Sequence, residues 1–442
     1  MVIDNTTLKD LSIFNAEEEM SVFTVLNFTE TNQGAASLFD ILKTPVSDPG
    51  LIRQRQQMIA ILAEKENEWP AEITNGTLMV MDKLYLSQID RIPNRPSYFD
   101  AATYRLLHTT DYSLVRYTVG HAIDLVKGLE KIVMTFSHPQ NPPVLQHILE
   151  QVKLKISRPT VVEMLAVKDK NRLSAKDKLN FGHFLLYHFK SHFYELQNLY
   201  GKLEAFMSLA KAMKHYHLVF PQCIESETPV FEVHGLWHIL LEDAVGYDLE
   251  LDNHKNFLFL TGANMAGKST LIKAIGVGVF LAQLGMAVPA KFMRISIFDG
   301  MVTNIQVMDN ILKGESFFFN EVMRVKATLT RISQRGKWLV LIDELFKGTN
   351  IEDAMRCSTA VIKGFLQIPD SLFVLSTHLY EIGEQLKDHP NILFRYFETE
   401  VKDDQLLFSY QLREGISSDR IGFIILRREG VLDLIEEITR RK

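Results

Sequence analysis

The chain divides by the period of its apolar positions. Over residues 1–215 they recur at helical spacing. Leu51, Ile52, Met58, Ile59, Ile61 and Leu62 follow Ser47-Asp48-Pro49, which joins a capping side chain, an acid and a proline suited to a first helical turn. Helices are predicted over 104–133 and 144–155, with a long one over 175–213. Pro93, Pro96, Pro139, Pro142, Pro143 and Pro159 punctuate the connections. From about residue 221 short continuous apolar runs, at 257–260, 338–342 and 372–376, alternate with helical stretches and suit central strands of a covered sheet. Residues 271–284 predict an apolar helix. The stretches 395–401 and 406–412 flank Lys402-Asp403-Asp404-Gln405 and predict an antiparallel hairpin, and a short charged helix is expected over 431–441. The pattern predicts a mainly α-helical domain at 1–215 and an α/β domain at 216–442.

A length of 442 residues exceeds what one core usually holds, in agreement with two domains. Two cysteines, Cys223 and Cys357, supply neither a disulfide framework nor a metal cluster, so a reducing, cytoplasmic setting is expected. No stretch predicts a membrane span: the apolar run 274–290 is Gly-rich, short and interrupted by Pro289. The net charge of −6 confines any nucleic-acid contact to a local patch. One candidate exists: residues 151–215 carry twelve Lys or Arg against five acids, with Lys168, Lys170, Arg172, Lys176 and Lys178 closest together. A solvated helix face accounts for the same pattern.

The strongest local chemistry lies at Gly262-Ala263-Asn264-Met265-Ala266-Gly267-Lys268-Ser269-Thr270, which fits G-x-x-x-x-G-K-[ST] between a predicted strand and a predicted helix. Gly262 and Gly267 permit backbone angles that turn N–H groups toward phosphate oxygens, and the helix N-terminus points the same way. Lys268 is expected to reach the β- and γ-phosphates and Ser269 to ligate Mg²⁺. The run 338–342 delivers Asp343 and Glu344 at a strand end. Asp343 is the expected holder of Mg²⁺ through a water, and Glu344 the group that orients or deprotonates the attacking water. His378, at the end of 372–376, is placed to sense the γ-phosphate. Ser316 heads a predicted helix, where it is either a cap ahead of core phenylalanines or an anion contact to a partner chain.

Taken together these motifs resemble the MutS family of DNA mismatch repair ATPases, most specifically over 230–426. The loop at Gly262 is similar to that family's G-P-N-M-G-G-K-S-T, Asp343-Glu344 to Gly348-Thr349 to D-E-x-G-R-G-T, 314–321 to G-R-S-T-F-x-x-E, and Thr377-His378-Leu379-Tyr380-Glu381 to T-H-Y-x-E. The segment from Gly415-Ile416-Ser417-Ser418 to Gly422 is similar to the family's closing G-x-A-x-x-S-x-G. The stretches 36–45 and 52–56 resemble its core domain less strongly. The resemblance implies an α/β P-loop NTPase of ABC type, with a mixed sheet and flanking helices, preceded by a mainly α-helical core and lever domain. It implies ATP and Mg²⁺, DNA (mismatched or branched duplex) as partner, and a nucleotide-dependent homodimer in which Ser316 serves the other copy's site. The mismatch-reading and connector domains are expected to be absent. A nucleotide-gated scaffold or ribonucleoprotein assembly factor is the rival reading. A transporter motor is disfavoured, because Ser316 precedes Phe317-Phe318 and not a glycine pair. Departures fall at Ala263, Ala266, Phe346, Lys347 and Asn350. Ala266 predicts less room for phosphate than a glycine would leave.

Overall fold

The computed structural model describes residues 1–14, 20–305, 317–334, 336–402, 405–417 and 430–440. The chain forms two compact units. One comprises Leu26–Thr44 and Arg53–Tyr216; the other comprises His217–Lys442 together with Met1–Val25 and Pro45–Ile52. In chain order the helices are α1 (Asn5–Asp10), α2 (Val22–Leu26), α3 (Asn32–Lys43), α4 (Pro49–Glu64), α5 (Asn75–Leu86), α6 (Tyr98–Leu107), α7 (Thr109–Phe136), α8 (Pro143–Ile156), α9 (Pro159–Leu165), α10 (Ala175–Phe184) and α11 (Lys190–His215).

The helical unit is built around α7, against which α5, α8 and α10 pack, while α3 packs on α11. Val115, Val119, Ala122, Val126, Leu129 and Val133 make the buried stripe of α7 at three- and four-residue steps. The predicted helix over 104–133 is broken at His108, which closes α6 and opens α7 with φ −121° and ψ 54°. The His108 ring stacks on Tyr104, and its Nδ1 lies 2.7 Å from Asp90. These contacts hold the bend. The long helix from Ala175 contains one π-turn, Leu185–Phe189. Leu185, Phe189 and Phe193 are all buried and four residues apart, a spacing that a wider turn keeps on one face.

The other unit carries β1 (Gln222–Ile224), β2 (Phe231–Leu236), β3 (Tyr247–Leu251), β4 (Phe257–Thr261), α12 (Lys268–Gln283), β5 (Phe292–Ser296), β6 (Gly300–Asn304), α13 (Phe317–Ile332), β7 (Trp338–Asp343), α14 (Ile351–Phe365), β8 (Ser371–Ser376), α15 (Tyr380–Gln385), β9 (Ile392–Lys402), β10 (Gln405–Glu414) and α16 (Val431–Arg440). Its main sheet has the order β10-β9-β4-β8-β7-β6. The pairs from β9 to β6 are parallel and β9–β10 is antiparallel, so the predicted hairpin forms one edge. Every residue of β4 and β8 is buried, as continuous apolar runs in a covered parallel sheet should be. A second sheet, β1-β5-β2-β3, was not anticipated from the pattern. The architecture is thus a mixed sheet flanked by helices and preceded by a mainly α-helical region.

The N-terminus belongs to this unit. The Val2 N–H donates to the Asp299 carbonyl at 2.6 Å, beside β6. Buried Asp10 accepts from the Thr303 hydroxyl at 2.7 Å and from the Ile305 N–H at 3.0 Å. Leu11 packs against Gly276 of α12, where a Cβ would lie only 2.6 Å from its Cδ2.

Candidate functional site

The ends of three neighbouring parallel strands, β4, β8 and β7, deliver the candidate groups to one side of the sheet. After β4 the chain turns through the 262–269 loop into α12. Gly262 and Gly267 stand at φ +134° and +110°, the left-handed region that favours glycine. Ala263 and Ala266 are not among the positive-φ residues; Met265, at φ +67°, is. The departure from glycine at Ala266 therefore falls where the backbone does not require one. Ala266 is buried.

Lys268 is 6% exposed and folds back over its own loop. Its Nζ donates to the carbonyls of Gly262 at 2.7 Å and Ala263 at 2.8 Å, and lies 3.5 Å from His378 Nδ1. Burial lowers its pKa to about 8; Glu344 and Asp343 partly oppose this and Lys347 adds to it. The Ser269 hydroxyl donates to Asp343 Oδ2 at 2.5 Å, and the Ser376 hydroxyl donates to the other carboxylate oxygen. A serine hydroxyl beside a carboxylate is a hard oxygen pair of the kind Mg²⁺ takes.

Glu344 has both oxygens occupied. His378 Nε2 lies 2.5 Å from Oε1 and Lys347 Nζ lies 2.8 Å from Oε2. Burial alone would push its pKa up, but the donors from His378 and Lys347 outweigh this and hold it at about 2. Glu344 and Phe346 both adopt left-handed backbone, at φ +66° and +59°. The loop they belong to is tied down from α13: buried Glu321 accepts the N–H groups of Lys347 at 3.0 Å and Gly348 at 3.1 Å. Phe346 is buried against Phe318, with ring centroids 5.6 Å apart.

A cavity of about 820 Å³ lies over the loop, lined by Lys268, Ser269, Asp343, Glu344, Lys347 and His378 at one end and by His238, Tyr247 and Tyr410 at the other. That volume is of nucleotide size. His238 is buried, and its Nδ1 accepts the Leu240 N–H at 3.3 Å. Burial, then Lys273, lowers its pKa to about 4, so it is neutral at neutral pH. The pattern of residues did not single out Ser376, Tyr247, His238 or Tyr410. Tyr410 sits at φ +52° beside Gly267, within the hairpin's irregular register between Phe408 and Leu412. Ser316 lies outside the described residues, as does the whole segment from Ser418 to Gly422.

In the helical unit the expected basic strip is partly neutralised. Lys170 pairs with Asp124, and Arg172 lies 3.3 Å from Asp169. Among the described residues no helix is long and apolar enough to cross a membrane.

Residues 258–439 match the family described as MutS domain V. The DNA mismatch repair protein MutS of Petrotoga mobilis is 28% identical over 246 residues, 55% of this chain and 30% of that protein. The DNA mismatch repair protein msh3 of Aspergillus fumigatus is 30% identical over 255 residues, 54% of this chain and 22% of that protein. The MSH3 protein of Vanderwaltozyma polyspora is 34% identical over 176 residues, 39% of this chain and 17% of that protein. The aligned part of the chain thus spans less than a third of these relatives' length. The match is to the MutS/MSH mismatch-repair ATPases at the level of the family, and it rests on domain V.

Proposed function

We propose that this chain is an ATP-dependent DNA-binding protein of the MutS type, in which ATP binding and hydrolysis drive movement of the helical unit and engagement of DNA in repair or recombination. The observation that carries the reading is the convergence of Lys268, Ser269, Asp343, Glu344 and His378 on one cavity above a glycine-framed loop. Ser269 and Asp343 would hold Mg²⁺, which when bound supplies the charge that neutralises phosphate oxygens. Lys268 would exchange the carbonyls of Gly262 and Ala263 for phosphate oxygens. Glu344, once its oxygens are free, would accept the proton of the attacking water, and His378 would steady the γ-phosphate end. ATP would favour a homodimer, with Ser316 of one copy completing the other copy's site.

Lys268→Ala should abolish ATP binding or turnover. Glu344→Ala should keep ATP binding and slow hydrolysis about 10²- to 10⁴-fold, the usual worth of a general base. Hydrolysis at the wild-type rate in Glu344→Ala would remove Glu344 from the role. For the DNA part, binding to mismatched, branched and plain duplexes and to RNA is measured with and without ATP. Affinity for RNA alone, or for no nucleic acid, would turn the reading to a scaffold or assembly factor.

A further inference from the structure

The helical unit exposes large apolar side chains together on α6. Tyr98 and Phe99 are 73% and 79% exposed, and Leu106 and Leu107 are 77% and 69% exposed. Positions 98 and 105, and 99 and 106, lie two turns apart on the same lines of a helix. The outward face therefore reads Tyr98 and Phe99, then exposed Ala102, then exposed Arg105 and Leu106. The inward face carries Ala101 and Tyr104, both buried. The outward side chains are not needed to pack the helix, and a contiguous exposed apolar surface marks an interaction site.

Cations gather at the same place from two further helices. Lys176 of α10 sits over the Tyr98 ring, 5.0 Å from its centroid. Lys178 of α10 has its pKa lowered by burial and then by the neighbouring charges of Arg116 on α7 and Arg105 on α6. None of Arg105, Arg116 and Lys178 forms an ion pair among the described residues. Of the acids close to them in sequence, Asp100 accepts from the Ser97 hydroxyl at 2.8 Å, Asp177 from the Ser174 hydroxyl at 2.6 Å, and Asp111 from the Asp90 N–H at 2.9 Å. Arg105 also lies over the Tyr112 ring at 5.8 Å.

We propose that the outer face of α6, with the adjoining parts of α7 and α10, binds single-stranded nucleic acid. Tyr98 and Phe99 stack on unpaired bases, and Arg105, Arg116, Lys176 and Lys178 receive the backbone phosphates. Exposed aromatic rings beside cations that form no ion pair among the described residues fit this ligand. Stacking needs base faces, which a duplex hides, and phosphates need charge that no carboxylate has already taken. The inference deepens the DNA-binding reading by naming the strand form, and it is independent of the ATP site.

The test uses the full chain, a labelled oligo(dT) of about 16 nucleotides and a blunt duplex of equal length, followed by anisotropy across a salt series. The single strand should bind more tightly than the duplex. Tyr98→Ala with Phe99→Ala should weaken single-strand binding roughly 5- to 150-fold for each base unstacked, with the salt slope unchanged. Phe99→Trp should retain affinity. Changing Arg105, Arg116 and Lys178 to Gln should flatten the single-strand salt slope by about 2. ATP turnover and thermal melting of these exposed-face variants should stay at wild-type values, which separates failure here from failure at the ATP site. Equal binding of the two strand forms, unchanged affinity in the aromatic variant, or binding of anionic vesicles in place of oligo(dT) would each overturn the proposal.

Discussion

Replacing Glu344 by Gln should flatten the acid side of the protein's stability curve. The Glu344 side chain is 18% exposed and receives donors from both His378 and Lys347. Burial pushes its pKa up, yet these partners hold it at about 2, below its ordinary 4.5. A group whose folded pKa is depressed contributes fully above its unfolded value, here about 4.5, and that contribution is lost as pH falls toward about 2. The gap of two and a half units is worth about 3.4 kcal/mol at ~1.36 kcal/mol per unit. His378 and Lys347 are 37% and 42% exposed, so solvent and salt screen them, and about 2 kcal/mol is the better expectation. Somewhat over half of this is gone by about pH 3. Urea unfolding of wild type and Glu344→Gln near pH 7 and pH 3 measures the difference. Wild type should lose about 1 kcal/mol more than the variant over that range, and less at high salt. Lys347→Gln should begin its acid loss about one pH unit higher than wild type, since one of the two donors is gone. Parallel curves for wild type and Glu344→Gln would refute the argument, because they would mean the carboxylate titrates alike in folded and unfolded chains.

Three further outcomes are expected. Lys268, lowered to about 8 chiefly by burial, should be raised again by phosphate oxygens, so nucleotide binding near pH 9 should take up most of one proton and almost none near pH 7. Titration calorimetry in buffers of different ionisation enthalpy reads this directly, and equal uptake at both pH values would contradict it. Phe346→Gly should relieve about 1–2 kcal/mol of left-handed strain but forfeit about 3–5 kcal/mol of aromatic burial against Phe318, so the melting temperature should fall; a rise would show that strain dominates. Mixing inactive Lys268→Ala chains with inactive Ser316→Arg chains should restore part of the ATPase activity, since a mixed dimer holds one intact composite site; no recovery, with nucleotide-dependent dimers demonstrated by mass, would place Ser316 outside the site.

The candidate catalytic groups were legible in the sequence because their chemistry restricts residue type at fixed local spacing. The expected phosphate loop calls for glycines at Gly262 and Gly267, and the structure puts both at positive φ. A buried strand ending in Asp343-Glu344 needs only a short apolar run before it, and β7 supplies that run. The hairpin over β9 and β10 was legible for the same reason: two runs and a polar turn lie next to each other in the chain. The bend at His108 was not, because one of the contacts that hold it, to Asp90, reaches a residue 18 positions away. The second sheet was not, because β1 has three residues and pairs with β5 far along the chain.

The groups that support the site were hidden for a different reason. Many residue types can hold a loop, so holding leaves no pattern. Glu321 stands in a signature-like stretch, yet nothing local says that it would accept the N–H groups of Lys347 and Gly348. Asp10 looks like the solvated face of a short helix until Thr303 and Ile305 are placed against it. Ala266 shows the converse. Read against a glycine motif it is a departure, but the position lacks the backbone angle that makes glycine necessary. At Phe346 the opposite holds: a bulky residue stands at φ +59°, where glycine would be free of strain, and its ring fills the space against Phe318. A substitution within a motif therefore acquires meaning only with its φ and its packing partner. By that measure Ala266 leaves the backbone of the 262–269 loop unstrained, whereas Phe346 changes how the loop after Glu344 is held.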